Sequence, residues 1–231
     1  MTAQLRFAQE ENHFDREFVF GWPARGETAR SVADRVLKTA DLLSAVEPIW
    51  ADVRPVLASR PFRSGDPGFV REMSPEALGE LIDRKGRPDP PKAPKPVSRW
   101  GYSISFHTNR PGVDPMSSGM TVHAGDTVEN SANMVRLGFP LASPIWRDQD
   151  MAVSVMQAGI AAWDAEWAWA RAFISIFDGP YWRRPWMTWF RQPQRPPPSL
   201  VMEYPADYPP EFDLRPHETT EKWGGVLKIW P

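Results

Sequence analysis

The chain has 231 residues, enough for one substantial domain or two small ones. Hydrophobic residues make up 42% and charged residues 24%, which is ordinary globular usage and excludes disorder of the whole chain. A formal net charge of −2 excludes the basic surface of a protein that follows DNA or RNA along its length, and it excludes a polybasic membrane anchor. Cysteine is absent, so there is no disulfide, thiolate nucleophile or cysteine-bound zinc.

The N-terminal segment is polar and acidic, unlike a secretory signal, and no apolar run is long enough to span a bilayer. We therefore expect a cytoplasmic protein without a membrane partner. The 26 prolines predict long ordered loops and short regular elements. The 12 tryptophans supply large apolar areas that would hold such loops together.

The first elements in chain order are a strand and a helix. The apolar run Glu17–Trp22 predicts a short strand that ends at Pro23. From Glu27 to Val46, apolar residues recur every three or four positions, which predicts a long helix. Glu27 would lie in its first turn, where the helix dipole favours an acid.

A second, shorter helix is predicted from Ser74 and Pro75, an N-cap serine followed by proline at the first helical position. The proline-rich connector 85–98 follows, and we expect an extended surface loop there. The chain is expected to be one domain over residues 1–231, with a possible division into two lobes at this connector.

After the connector the hydrophobic period changes to two. Three alternating segments, at 102–106, 120–122 and 135–139, predict a three-strand antiparallel meander. A helix is predicted over 149–163, and further strands at 167–174, 186–190, 200–204 and 226–230. The expected fold class is α+β, with an antiparallel or mixed sheet, two main helices and long proline-rich loops.

Candidate catalytic groups are few. His107 and His123 fall on the polar side of neighbouring strands, so a metal-dependent enzyme that uses both is one open alternative. No metal-binding histidine spacing, nucleophile elbow or phosphate-binding glycine loop occurs in the sequence. We therefore expect no catalytic residue, no metal and no cofactor.

Surface chemistry offers further candidates. Trp182 and Trp186 lie among arginines in YWRRPWMTWFRQ, a composition typical of a packed core, of a protein interface, or of a single-stranded nucleic-acid-binding module. The pair Gly224 and Gly225 predicts a bulge or tight turn before the last strand.

Four segments together resemble the immunity protein 52 family of bacterial polymorphic-toxin systems. They are FVFGWPARGETARSVADRVLKTADLLSAVEPIW, the meander YSISFHTN to NMVRLGFP, the helix end AAWDAEWAWA, and WGGVLKIW. The resemblance covers about residues 17–230 and depends on the order and spacing of these segments. The two proline-rich segments, 85–98 and 193–216, have no counterpart in the family's pattern.

The resemblance implies a protein without catalytic activity that binds and neutralises a cognate toxin, often a nuclease, with no nucleic-acid partner of its own. A nuclease has a basic cleft, so we expect an acidic loop to cover it, with Tyr208 as an anchor beside the acids Asp207, Glu211 and Asp213. Trp182 and Trp186 are further candidate contacts. The family's motif residues are interpreted as structural: Trp22, Arg25, Glu27, Trp163, Asp164, Trp167, Gly224 and Gly225.

Overall fold

A computed structural model describes residues 16–56, 68–86, 100–108, 119–127, 132–139, 143–174, 182–191 and 218–229. Within these ranges the chain forms one nine-stranded antiparallel sheet and three α-helices. The strands are β1 Arg16–Pro23, β2 Val53–Pro55, β3 Trp100–Thr108, β4 Gly119–Asp126, β5 Ala132–Gly138, β6 Trp167–Ile174, β7 Trp182–Arg191, β8 Glu218–Lys222 and β9 Gly225–Ile229. The helices are α1 Ala29–Val46, α2 Pro75–Lys85 and α3 Gln149–Trp163.

The strands lie in the order β2-β3-β4-β5-β1-β6-β7-β9-β8. The first strand of the chain is therefore central, antiparallel to β5 on one side and to β6 on the other. The α+β class and the meander β3-β4-β5 are confirmed. The sheet is larger than predicted and, among the described strands, antiparallel throughout. The strand expected at 200–204 and nearly all of both proline-rich segments lie outside the described residues.

Helix α1 begins two residues later than expected, so the placement of Glu27 in its first turn is wrong. The N-cap is Thr28, whose Oγ1 accepts a hydrogen bond from the Ser31 amide at 3.1 Å, while the Ser31 hydroxyl oxygen accepts one from the Thr28 amide at 3.0 Å. This reciprocal capping satisfies two amides at the helix start. Glu27 precedes the cap and takes part in other contacts.

The other two helices have the predicted starts. Ser74 caps α2, with Pro75 at its first position, and Asp148 caps α3. With α1 these make three substantial helices where two main ones were expected. No helix among the described residues is long and apolar enough to cross a membrane.

The helices cover one face of the sheet, and the core lies between the two layers. Ring stacking joins Trp22 of β1 to Trp163 of α3. Gly159 of α3 lies so close to the Phe20 ring that a Cβ at this position would come within 2.2 Å of the ring. The helix-facing side chains of the central strands are buried: Phe18, Phe20, Trp22, Phe106, Met120, Val122, Val135, Leu137, Ala168 and Ala170. The close approach of α3 explains why β6 places alanines on this face.

The opposite side of the sheet, called here the helix-free face, has no described helix packed on it. Cross-strand register places Val19 beside Arg136 on one side and beside Trp169 on the other. Trp167 lies directly over Gly21, where a Cβ would approach the indole ring to 1.8 Å. Large apolar side chains of β6 therefore lie on the face without helices.

Strands β8 and β9 form a hairpin whose two turn residues, Trp223 and Gly224, both have positive φ, at 55° and 74°. Positive φ at both central residues is the type I′ geometry, which suits the twist of a two-residue hairpin. The predicted tight turn at Gly224 and Gly225 therefore lies one residue earlier, at Trp223 and Gly224. Gly225 is the first residue of β9.

Candidate functional site

Two motifs that lie far apart in the sequence meet at the C-terminal end of α3. They are called here the tryptophan motifs, and they contain Trp22 with Arg25 and Glu27, and Trp163 with Asp164. The turn after β1 supplies Arg25, and the end of α3 supplies Asp164. Arg25 donates to Asp164 Oδ2 at 3.4 Å and to the Trp163 carbonyl at 3.1 Å. Its guanidinium also lies over the Trp22 ring, 5.3 Å from the centroid. Contacts across 139 positions therefore unite the two tryptophan motifs in one cluster.

Glu27 is the buried anion of this cluster, with 5% of its side chain exposed. Its carboxylate accepts from Arg25 at 3.2 Å, from the Trp22 indole at 3.3 Å, and forms an ion pair with Arg35 at 3.1 Å. Burial lowers the pKa of Arg35, and the charge of Glu27 opposes that shift. Since a guanidinium stays protonated in proteins, both arginines remain cations.

The last three carbonyls of α3 each accept a hydrogen bond from a cation outside that helix. Lys38 donates to Ala161 at 2.8 Å, Arg35 to Ala162 at 3.2 Å, and Arg25 to Trp163 at 3.1 Å. Helix C-terminal carbonyls have no intrahelical partners and carry partial negative charge. Side chains of α1 and of the preceding turn therefore satisfy the last three carbonyls of the helix.

Asp164 ends α3 in the left-handed conformation, with φ and ψ both 48°, and its amide donates back to Ile160. Its carboxylate is 58% exposed and lies 2.6 Å from Arg191 at the end of β7. Partial burial raises the pKa of Asp164, but the hydrogen bond and charge of Arg191, with the charges of Arg25 and Arg35, outweigh it. The net effect is a lowered pKa.

The cluster consequently has a buried part, which contains Glu27, and an exposed rim. Arg25, Arg191 and Asp164 form the rim, with 31%, 34% and 58% of their side chains exposed. Four cations and two anions contribute in total: Arg25, Arg35, Lys38, Arg191, Glu27 and Asp164. The arrangement is suited to charged recognition of another molecule by fixed groups.

The predicted site residues are distributed unevenly over the structure. Trp22, Arg25, Glu27, Trp163 and Asp164 come together in the cluster. Trp167 lies instead on the helix-free face, and Gly224 and Gly225 lie in the β8–β9 hairpin.

The predicted partner contacts are not described in the structure. Trp182 and Trp186 belong to β7 by backbone, but their side chains lie outside the described residues. Asp207, Tyr208, Glu211 and Asp213 also lie outside the described residues.

The two histidines do not converge. His107 pairs with Gly119 on β4, four positions from His123, which places the two imidazoles roughly 13 Å apart along the strand. One ion cannot be bound by both at this separation. No cluster of three metal-ligating side chains occurs in the described ranges.

Sequence reasoning missed Arg35 and Lys38, and it assigned Arg191 to an aromatic surface segment. Arg35 and Lys38 lie three residues apart beside the apolar stripe of α1, a spacing that puts both on one side of a helix. That spacing signals a shared target but not its identity, because the acceptor carbonyls lie 123 and 127 positions away.

The fold and this cluster define an α+β protein with a charged surface site. No protein-family model matches the chain, and no curated protein matches its sequence. Among solved structures, the chain is similar to the Pseudomonas aeruginosa T6SS protein PA0821, with a TM-score of 0.42 and 10% identity over 77% of this chain. The match covers 52% of that protein, so this chain spans about half its length. Likeness at this level identifies neither a family nor an activity, and the immunity protein 52 resemblance stays a prediction.

Proposed function

We propose that this chain is an immunity protein that binds a cognate bacterial toxin, delivered by a neighbouring cell, and neutralises it by stoichiometric inhibition inside the producing cell. The observation that carries the proposal is the convergence of both tryptophan motifs on one charged cluster. Those motifs are the segments on which the resemblance to immunity protein 52 depends. A charged and partly exposed cluster at their meeting point is suited to binding another protein, which supports the function that the resemblance implies.

The rigidity of the cluster supports tight binding of a partner protein. Arg25 and Arg191 are each fixed through Asp164, and Arg25 is also fixed on a helix end. Groups already held in one geometry lose little conformational entropy on binding. Arginine and tryptophan are also the residue types that contribute most binding free energy at protein interfaces.

The finer proposal concerns the toxin itself. A nuclease has a basic substrate cleft, and an acidic loop with Asp207, Glu211 and Asp213 would cover it through charge complementarity, anchored by Tyr208. Reversing all three acids to lysine should weaken the complex by several kcal/mol in total. Calorimetric titration measures this, and an unchanged affinity would remove the acidic loop from the proposal.

The test begins with expression of the proteins encoded beside this chain in its genome, each alone and each with this chain. The expected result is one neighbour that arrests growth alone and is harmless together with this chain. Light scattering of the purified pair should then show a complex of fixed stoichiometry. A toxic neighbour that this chain neither binds nor neutralises would overturn the proposal.

A matched pair of variants tests the contribution of the cluster. Arg191→Ala removes a rim cation whose partner, Asp164, is itself exposed, so folding is little affected. Arg84→Ala makes the same truncation at an exposed position of α2. We expect Arg191→Ala to lower affinity at least about tenfold and Arg84→Ala to leave it unchanged. Equal affinities for the two variants would place the interface elsewhere.

A further inference from the structure

The last strand of the described sheet, β8, has one edge without a partner. It pairs with β9 on one side, and no described strand pairs with it on the other. Its side chains alternate between half-buried and exposed, and the exposed ones belong to Thr219 and Glu221. An unpaired strand edge presents backbone donors and acceptors that can pair with another chain. This edge is therefore a candidate surface for the addition of a further strand.

The turn of the β8–β9 hairpin decides which backbone groups of β8 point outward. In a two-residue hairpin the residues that flank the turn, here Lys222 and Gly225, form a hydrogen-bonded pair. Hydrogen-bonded and non-hydrogen-bonded pairs alternate along an antiparallel ladder. The amides and carbonyls of Thr219 and Glu221 therefore point away from β9. Two residues of this edge thus present backbone groups that pair with no described strand.

Contacts from inside the molecule fix the position of this edge. The Trp189 indole of β7 donates to the Lys222 carbonyl at 2.9 Å. The indole passes over Gly225, where a Cβ would lie 2.6 Å from its nitrogen. At the other end of β8, Gln149 of α3 donates to the Glu218 carboxylate at 3.4 Å. Both ends of the strand are therefore held in place before a partner binds, which lowers the entropic cost of pairing.

The side chains of β8 are complementary to those of a second β8 in the antiparallel direction. Glu218 and Lys222 lie two positions to either side of Thr220, on the same face of the strand. Neither of them forms an ion pair with a described residue. An antiparallel copy centred on Thr220 places Glu218 of each protomer opposite the partner's Lys222. In the same register Thr219 lies opposite the partner's Glu221, so the outward backbone groups of both strands meet.

We propose that β8 pairs with β8 of a second copy of the chain, antiparallel and centred on Thr220, so that two nine-stranded sheets join into one. The opposed Thr219 and Glu221 supply about four backbone hydrogen bonds, and Glu218 with Lys222 supplies an ion pair on each side of the centre. Registers shifted by two residues lose these ion pairs, and one of them places Glu221 opposite itself. Charge complementarity therefore selects one register.

The opposite edge of the sheet favours a closed dimer over open-ended growth. Strand β2 has three residues and ends at Pro55, which has no N–H to donate. A contact between β8 and β2 would therefore be short and poorly bonded. A contact between two β8 strands uses the same surface on both copies and closes at two. A pair of five-residue strands is smaller than a standard interface, so we expect a weak dimer.

Sedimentation velocity of the full chain, between about 1 μM and 1 mM, measures self-association. We expect a dimer with a Kd of about 10–100 μM. Lys222→Glu and Glu218→Lys should each weaken it at least about tenfold, because each change places like charges opposite one another. The double variant Glu218→Lys/Lys222→Glu restores opposite charges and should dimerise like the parent. Lys85→Glu, a charge reversal at an exposed position of α2, should leave the Kd unchanged.

Two further measurements distinguish strand pairing from a general effect of charge. The two single variants, mixed in equal amounts, should form a heterodimer, because two lysines of one chain then face two glutamates of the other. Thr219→Pro removes an outward amide, a change that an edge strand tolerates, and should abolish the dimer while the far-ultraviolet circular dichroism stays unchanged. If this proline disrupts the hairpin, the charge-reversal variants still test the proposal.

Three results would overturn the proposal. A parent chain that stays monomeric at about 1 mM would show that β8 does not pair with itself. A dimer that both single variants leave intact would have its interface elsewhere. A monomeric chain whose binding to the toxin is lost in Thr219→Pro would identify a strand of the toxin as the occupant. The dimer does not rest on the proposed function, since self-association is measured without the toxin and failure to neutralise it leaves this result standing.

Discussion

Among single residues, Glu27 supplies the buried carboxylate of the candidate site. Its carboxylate is almost fully buried and serves two guanidinium groups and an indole. Burying an anion is unfavourable, and paired cations offset that cost only when the geometry is good. Removal of one partner then leaves the other charges uncompensated. The free energy lost by this removal is therefore larger than the net stabilisation that the pair contributes.

Glu27→Gln tests this argument because glutamine retains the shape and one acceptor for the Trp22 indole. It leaves Arg25 and Arg35 without a buried counter-charge. Loss of one partner of a fully buried pair costs about 3–5 kcal/mol, and we expect a smaller loss of about 2–3 kcal/mol here because both arginines are partly exposed. Urea unfolding measures the change in the free energy of unfolding.

The matched control for this variant is Asp34→Asn, which breaks an exposed ion pair with Arg30 on α1. Exposed pairs contribute about 0–1 kcal/mol, so this change should be small. A Glu27→Gln protein no less stable than the control would show that solvent already compensates the arginines.

Asp164 gives a pH dependence with a defined sign. Its pKa is lowered in the folded chain, so the folded state favours the charged form. The resulting stabilisation is present above the unfolded pKa of about 3.9 and is lost as pH falls through the folded pKa. Asp164→Asn should therefore be less stable than the parent at neutral pH, by no more than about 1 kcal/mol at this exposed position.

The difference in stability between the parent and Asp164→Asn should shrink as pH falls below the ordinary aspartate pKa. It should vanish when the side chains at position 164 are neutral in both proteins. Asparagine is suitable because it also tolerates the left-handed backbone of this position. Denaturation midpoints across an acid pH series provide the measurement. A difference that grows on acidification would contradict the lowered pKa.

Among elements, the β8–β9 hairpin has two adjacent glycines that are required for different reasons, one for backbone conformation and the other for packing. Gly224 has a positive φ, and a Cβ there meets nothing within 4 Å. A Cβ at Gly225 would approach the Phe190 carbonyl oxygen to 2.3 Å. Gly224→Ala should therefore cost about 1–2 kcal/mol from conformation alone. Gly225→Ala should cost more, because strand β7 must move.

Thermal unfolding of both variants and of Gly224→Asn provides the comparison. Asparagine adopts positive φ more readily than alanine, so Gly224→Asn should be the least destabilised of the three. If Gly224→Ala were as damaging as Gly225→Ala, the turn would be packed against something beyond the described residues.

The elements that the sequence predicted are those whose own residues show hydrophobic periodicity. Helix α1 has an apolar stripe of several turns, and β3, β4 and β5 alternate over most of their length. Strands β2 and β8 were missed for the opposite reason. Strand β2 has three residues, and the polar β8 is defined only by pairing with β9. A strand without a hydrophobic period is specified by its neighbour.

The candidate site was predictable only in part, since some of its members were recognisable but their meeting was not. The pair Arg25 and Glu27 lies two positions apart, within one short segment of the sequence. The contact of Arg25 with Asp164 and the contacts to the α3 carbonyls join positions more than a hundred residues apart. Such contacts follow from the placement of β1 beside β6, which no local period encodes.

At the scale of the whole molecule, the sheet unites the two parts of the chain that the connector 85–98 separates. Strand β2 precedes the connector and pairs with β3, which follows it. Strand β1 lies between β5 and β6, both from the second part. Removal of either part would expose unpaired strand edges and the apolar faces of the remaining strands. We therefore expect one cooperative unit rather than two independent lobes.

Equilibrium unfolding of the full chain tests this expectation. Tryptophans contribute on both sides of the connector, including the buried Trp22, Trp50, Trp163 and Trp189, so fluorescence reports on both parts. Fluorescence and far-ultraviolet circular dichroism should give coincident transitions with a single midpoint. Fragments 1–86 and 100–231 should each fail to fold alone, because each lacks the partner strands of the other. Two separate transitions, or a fragment with a cooperative melt of its own, would show that the connector divides the chain into lobes.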